Sequence, residues 1–290
     1  MCDKKNDKHL TDFCEVTLWT GPGPVPRDEL LGNVENKHGL FCMLTDRIDS
    51  EVLDKAGKKL KIVATMSVGY DHIDVNEIKK RKIKIAYTPD ILTDATAELA
   101  VALLLTTSRR LLEATGAAKI GEWKSWSPFW MCGPGLQNSI VGIVGVWPSE
   151  KAEAKEIGAE KVCFDELLTS SDFISVSCSL TPDTKELFNA AAFNKMKPTS
   201  IFINTSRGGV VDQNALIEVL ENGKIWGAGL DVMTPEPLPL DSPLLKLKNC
   251  VILPHIGSAC IETRKDMAML CAKNIVAALK GEPLPTELVL

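Results

Sequence analysis

From about Lys61 onward, short apolar runs alternate with amphipathic stretches, and the alternation sets the expected fold. The runs are "KIVATM" (61–66), "KIAY" (84–87), "SIVGIVGV" (139–146), "DFISVSCS" (172–179), "SIFINTS" (200–206), "IWGAGLDV" (225–232) and "CVILP" (250–254). Most are apolar along their whole length instead of every second residue, as strands covered on both faces should be. Between them lie helical patterns. The stretch "TDATAELAVALLLTTSRRLLEA" predicts one helix over 93–114, with Thr93 or Asp94 as its cap. Glu98 falls early and Arg109 and Arg110 late, as the helix dipole favours. Asp212 is expected to cap "QNALIEVLENG", with Gly223 closing it, and a last helix runs from about Ile261 to Leu279. Strands alternating with helices predict an α/β fold built on parallel sheets.

Composition narrows the function classes. The chain has 290 residues, enough for two domains, and 45% hydrophobic with 24% charged residues is ordinary for a globular protein. A net charge of −5 without any basic run gives no footprint for nucleic acid or an anionic membrane surface. The longest apolar run, Leu99–Leu105, falls far short of the roughly 20 residues that span a bilayer. The N-terminal stretch "MCDKKNDKHLTD" lacks the apolar core of a signal peptide. Nine cysteines without a C-x-x-C pair, several inside apolar runs, suggest buried thiols in a reducing compartment, with no metal site. A cytoplasmic location is the expectation.

In an open parallel sheet, ligands gather outside the carboxyl ends of the strands. Arg207, Gly208 and Gly209 follow the run 200–206; Asp231 and then Glu236 follow 225–232; His255, Ile256, Gly257 and Ser258 follow 250–254. Reduction of a 2-keto acid uses such a set. A guanidinium holds the carboxylate through two parallel hydrogen bonds. An imidazolium gives its proton to the carbonyl oxygen, and a carboxylate behind it favours the charged form. Backbone amides in a glycine turn such as Val68-Gly69 add donors for the carboxylate. Each residue alone has a plainer reading: a structural histidine, a salt-bridged arginine, a turn glutamate. His72, in "GYDHID", reads as a solvated turn histidine.

Taken together, "SVGYDHID" (67–74), "NTSRGG" (204–209), "GLDVMTPEPLP" (229–239) and "LPHIGSA" (253–259) resemble, in that order, the D-2-hydroxyacid dehydrogenases. The likeness extends through 88–110, "CSLTPDT" (178–184) and "GEPLPTEL" (281–288), and is greatest to the glyoxylate- and hydroxypyruvate-reducing branch. It implies two Rossmann- or flavodoxin-like domains: a substrate domain over 1–89 and 265–290, and a dinucleotide domain over 90–264. It also implies NADP or NAD as cofactor, a small 2-keto or 2-hydroxy acid as substrate, and a homodimer. By the same likeness Arg207, Glu236 and His255 are catalytic. Val68, Gly69, Asp231, Ser258, Arg264 and Trp126 join Arg207 and His255 at the substrate, Trp126 reaching a neighbouring subunit's site. Thr96, Gly142, Gly145, Ser179, Thr205, Asp231 and Gly257 line the cofactor. Trp123, Trp126 and Trp130 read equally well as dimer or core anchors.

Two departures stand out. The family's nucleotide turn reads G-x-G-x-x-G; from Gly145 its second and third glycines fall on Trp147 and Glu150. Pro148 has no amide hydrogen, and Glu150 and Glu153 bring negative charge to where a phosphate should bind. Too few residues then separate Val146 from Val162 for a βαβ unit, so about two dozen are expected to be missing, with the first helix and second strand. Asp165 is therefore expected to cap "ELLTSSD", not to bind a ribose. The stretch "FCEVTLW" (13–19) resembles the second strand of a substrate domain whose first strand and helix are absent. Both domains are thus expected to be truncated and cofactor binding weakened. Two functions stay open here: an NAD(P)H-dependent glyoxylate or hydroxypyruvate reductase, and a cofactor-deficient, non-catalytic interaction or dimerisation partner.

Overall fold

The computed structural model describes residues 10–145, 154 and 156–289. The chain divides into two compact units, Met1–Ala95 with Ser258–Leu290, and Thr96–Gly257.

The first unit holds a parallel sheet of β1 (Gly39–Cys42), β2 (Ile62–Thr65) and β3 (Lys84–Ala86), in that order. Helices α1 (Arg27–Asn33), α2 (Ser50–Ala56), α3 (Val75–Arg81) and the long α9 (Ile261–Lys280) accompany it. The pleat sorts the side chains. Val63 and Ile85 pack with Val52, Leu53 and Ile78 of α2 and α3. Ile62, Ala64 and Ala86 pack with Met267, Cys271 and Ile275 of α9. Both faces are covered, which is why β2 is apolar throughout. The short run that forms β1 lies before the region where the alternation is regular, and the sequence pattern does not single it out.

The stretch 13–19 forms no strand, and Phe13, Val16, Leu18 and Trp19 are exposed. In a flavodoxin-like sheet of order 2-1-3-4-5, the second strand pairs only with the first. No such first strand lies among the described residues, and the segment pairs with neither edge strand of the sheet, β1 or β3.

The second unit is built on five parallel strands, β4 (Val141–Val144), β5 (Phe173–Val176), β6 (Ile201–Asn204), β7 (Gly227–Leu230) and β8 (Cys250–Ile252), arranged in chain order. Crossovers between parallel strands are right-handed, so connections that all step the same way lie on one face. Accordingly α6 (Phe164–Ser170), α7 (Ala190–Phe193), α8 (Gln213–Glu221) and the turn Pro243–Lys246 place Leu168, Phe193, Leu216, Val219 and Leu244 in one core. Ile174, Val176, Phe202, Ala228 and Leu230 of the sheet share it. The other face is covered by α4 (Thr93–Ser108), whose Leu103 and Leu104 pack on Phe173, Ile201, Ile203 and Val251. A Cβ at Gly229 would lie 2.9 Å from Thr107 Oγ1, so a glycine is what lets α4 ride low over β7.

Three local expectations change. The predicted helix 93–114 is two helices, α4 and α5 (Leu111–Lys119), broken at Arg110 in a left-handed conformation with φ 53°. The apolar pattern runs across the break because Leu111 and Leu112 are apolar but exposed, and do not continue the buried stripe. α4 begins at Thr93 itself, so neither Thr93 nor Asp94 caps it. Asp165 is not a cap either: it lies in the first turn of α6, with Cys163 as N-cap, and pairs with Lys195 Nζ at 2.6 Å. Asp212 does cap α8, accepting from the Asn214 and Ala215 N–H groups, and Gly223 follows that helix with φ 61°.

β4 pairs with β5 alone and is the edge of its sheet among the described residues. Ile140 and Val144 turn their carbonyls toward β5, accepting from Phe173 and Ser177, so Val141 and Ile143 present their backbone groups outward. The side chains of Val141 and Ile143 are exposed as well, Ile143 by 53%. Val146, Trp147, Pro148, Ser149, Glu150 and Glu153, where the nucleotide turn departs from the family pattern, lie outside the described residues. Among the described residues, no helix is long and apolar enough to cross a membrane.

Candidate active site

Three carboxyl-end turns of the second unit converge through hydrogen bonds. After β6, the buried side chain of Asn204 folds the chain back: its Oδ1 accepts from the Ser206 N–H and hydroxyl at 3.0 Å, and its Nδ2 donates to the Arg207 carbonyl at 3.0 Å. This Asx-type turn sets the backbone that carries Arg207, whose Nη1 donates to the Ser206 carbonyl at 2.9 Å. Gly208 comes next because nothing larger fits. A Cβ there would collide with the main chain of Met233. Thr205 is half-buried beside this turn.

The Met233–Pro237 loop after β7 carries Glu236. Gln213, at the start of α8, clasps it with both ends of its amide: Nε2 donates to the Thr234 carbonyl at 2.7 Å and Oε1 accepts the Thr234 N–H at 3.0 Å. Glu236 Oε1 accepts the Met233 N–H at 3.0 Å, and Oε2 accepts from His255 Nδ1 at 2.7 Å. Burial pushes the Glu236 carboxyl up, but the bonds from His255 and Met233, with the charges of His255 and Arg207, hold it below the usual carboxylate range. The carboxylate is therefore ionised at neutral pH and fixes the imidazole tautomer, with Nδ1–H toward glutamate and Nε2 left to act. His255 Nε2 has no protein partner among the described residues.

His255 lies after β8 in the left-handed region, with φ 54°. Asp231, only 1% exposed, holds it there. Its carbonyl accepts the His255 N–H at 2.9 Å, and its carboxylate oxygens accept the N–H groups of Ile256 and Gly257 at 2.7 Å each. Burial pushes the Asp231 carboxyl up, and those two bonds pull the other way. A Cβ at Gly257 would stand 3.2 Å from Asp231 Oδ2 and 3.4 Å from Thr96 Cγ2, which puts Thr96 against the same turn.

The remaining candidates are dispersed. Ser179 is exposed, its carbonyl accepting from Thr184 Oγ1 at 2.6 Å. Gly142 is buried within β4, where a Cβ would collide with Ser171 Oγ; Gly145 follows that strand, exposed, beside Ser177. Trp126 is 83% exposed, and Trp123 and Trp130 are exposed too, so none of the three anchors a core. In the first unit, Arg264 Nε donates to the Ser258 carbonyl at 3.1 Å, and Val68 and Gly69 form a turn after β2. His72 is not a solvated turn histidine: it is half-buried, and its Nε2 is 2.9 Å from the buried hydroxyl of Thr65. Asn204 and Gln213 escaped the sequence reading. Asn204 was visible inside "NTSRGG", whereas nothing in the sequence marks Gln213.

A family model for the D-isomer specific 2-hydroxyacid dehydrogenase NAD-binding domain matches residues 146–257. The human glyoxylate reductase/hydroxypyruvate reductase is 52% identical over 300 residues, covering 96% of this chain and 92% of the relative. That alignment spans more positions than the 290 residues of the chain, so the relative has residues that this chain lacks. Among solved structures, the TT0316 protein of Thermus thermophilus superposes with a TM-score of 0.90 at 40% identity, covering 99% of this chain and 97% of its own. An NADPH-dependent glyoxylate/hydroxypyruvate reductase of Sinorhizobium meliloti, in complex with NADP and malonate, superposes with a TM-score of 0.78 at 30% identity, covering 91% and 86%. The chain belongs to the D-isomer specific 2-hydroxyacid dehydrogenase family.

Proposed function

We propose that this chain is an oxidoreductase that reduces a small 2-keto acid, glyoxylate to glycolate or hydroxypyruvate to D-glycerate. The observation that carries the reading is the 2.7 Å bond between Glu236 Oε2 and His255 Nδ1, with the charge of Arg207 acting on the same carboxylate. Arg207 binds the substrate carboxylate as a two-pronged donor. His255 protonates the carbonyl oxygen through Nε2, and Glu236 stabilises the imidazolium that does so. Asp231 keeps the His255–Gly257 turn in place. The family likeness further assigns the Val68 and Gly69 amides, Ser258 and Arg264 to the substrate, and Trp126 to the site of a second copy in a homodimer. Free thiols at every described cysteine suit a cytoplasmic location.

Family membership implies a nicotinamide dinucleotide, NADP or NAD, as the hydride source. The donor set supports Asp231, Thr96, Thr205 and Gly257 facing its nicotinamide end, but does not fit the pyrophosphate and adenosine end. What supports this reading is that no strand flanks β4 on its outer side among the described residues, where a neighbouring strand end would choose between ribose and phosphate. The sequence after Gly145 supplies Trp147 and Pro148 in place of glycine amides. Losing several such bonds, each about 1.5–3 kcal/mol, moves a micromolar site to millimolar or weaker. Titration of the full chain with NADPH, followed by fluorescence, is expected to show no saturation at low micromolar concentration; saturation there would refute weakened binding. Arg207→Ala and His255→Ala are each expected to abolish turnover, and a fully active double variant would refute the site.

A further inference from the structure

The turn after β2 is underpinned by a chain of buried hydroxyls that ends on His72. Ser67 Oγ donates to the Gly69 carbonyl. Thr65 Oγ1 lies 3.1 Å from Ser67 Oγ and 2.9 Å from His72 Nε2. Thr65 and Ser67 are 0% and 5% exposed, so water does not complete the chain. A hydroxyl has one proton to give. Ser67 spends its proton on Gly69, so Thr65 must donate to Ser67, and Thr65 in turn must accept from His72. The direction of the chain therefore requires a proton on His72 Nε2.

This arrangement orients the turn above it. The Ser67 carbonyl is fixed by the Thr88 N–H at 3.0 Å, and the Gly69 carbonyl is drawn inward by Ser67. The N–H groups of Val68 and Gly69 meet no acceptor among the described residues, and Val68 is exposed. Successive outward amides at the carboxyl end of a parallel strand form an anion-binding concavity. We infer that His72 is a positioning residue for substrate binding: acting through Thr65 and Ser67, its Nε2–H sets the Val68 and Gly69 amides to receive a small carboxylate. This deepens the reading of a 2-keto acid site and rests on it.

Oxamate, a 2-keto acid isostere that is not reduced, tests the inference without turnover when titrated calorimetrically into the full chain. His72→Phe, which removes the donor, is expected to weaken oxamate binding about tenfold, the loss of one good hydrogen bond to a charge. Ser67→Ala should weaken it equally, and the double variant no further, because both cut one chain. His72→Gln places an amide nitrogen where Nε2 lies and is expected to restore binding to within about threefold. Binding by His72→Phe within about twofold of the unmodified chain, or a His72→Gln chain as weak as His72→Phe, overturns the inference. If His72→Phe does not fold, Ser67→Ala decides in its place. Failure of the unmodified chain to bind oxamate, or unchanged binding by Arg207→Ala, sinks the acid-site reading itself. Loss on Arg207→Ala with silent His72 and Ser67 variants sinks the inference alone.

Discussion

A histidine at φ 54° is uncommon, and the bonds from Asp231 to three consecutive N–H groups offset that strain. Asp231→Asn keeps the size but turns one donor toward an N–H group. It should lower kcat about 10–100-fold through a displaced imidazole, with the circular dichroism spectrum unchanged. Glu236 and Asp231 titrate with opposite consequences. The Glu236 pKa is lowered on folding, so the stability it adds is present above its unfolded value of about 4.3 and is lost as pH falls through the folded one. The Asp231 pKa is raised, so its contribution is full below about 3.9 and is lost as pH rises through the folded value. Denaturant titrations between about pH 3 and 6 should therefore show a shallower acid-side loss of stability for Glu236→Gln than for the unmodified chain. The turns that carry Arg207, Glu236 and His255 were legible from the sequence because each follows an apolar run, while the roles proposed for the three come from the family likeness. Gln213 and the Thr65–Ser67–His72 chain were not, because their roles exist only once the elements are folded together.

Elements were legible where the pattern reported burial and failed where it reported only apolarity. All seven apolar runs contain a strand, since each is covered on at least one face. The run 13–19 is equally apolar, yet pairing needs a partner edge, which no local pattern records. The break at Arg110 was hidden for the same reason. Gly208 shows the tightest constraint between elements. Gly208→Ala must push the turn after β6 away from Met233 and should cost about 1–3 kcal/mol, read as a lower denaturation midpoint. β4 is the opposite case, an apolar parallel strand whose outer edge pairs with no strand among the described residues and that carries no charge or proline of its own. Ile143→Lys is expected to suppress concentration-dependent aggregation, measured by light scattering, while leaving the melting temperature within a few degrees.

At the scale of the molecule, the five strands follow one another in chain order without reversal among the described residues. In a doubly wound sheet the reversal opens the crevice that receives a dinucleotide, and it sends helices to both faces. Here every crossover steps one way, one face carries three helices and a turn, and the other carries α4. The family was legible from its motifs, whereas the sheet order depends on which strands lie side by side, which no local pattern records. A matching order in chain and space also bears on how the unit folds. Each strand can add beside the one made just before it, without threading back past an earlier strand, so the separations to be closed stay short. Folding can then advance vectorially during synthesis, from β4 toward β8, with the growing edge always the newest strand. Nascent chains arrested after β6 should already protect the β5 amides from hydrogen exchange, because β5 then has a neighbour on each side.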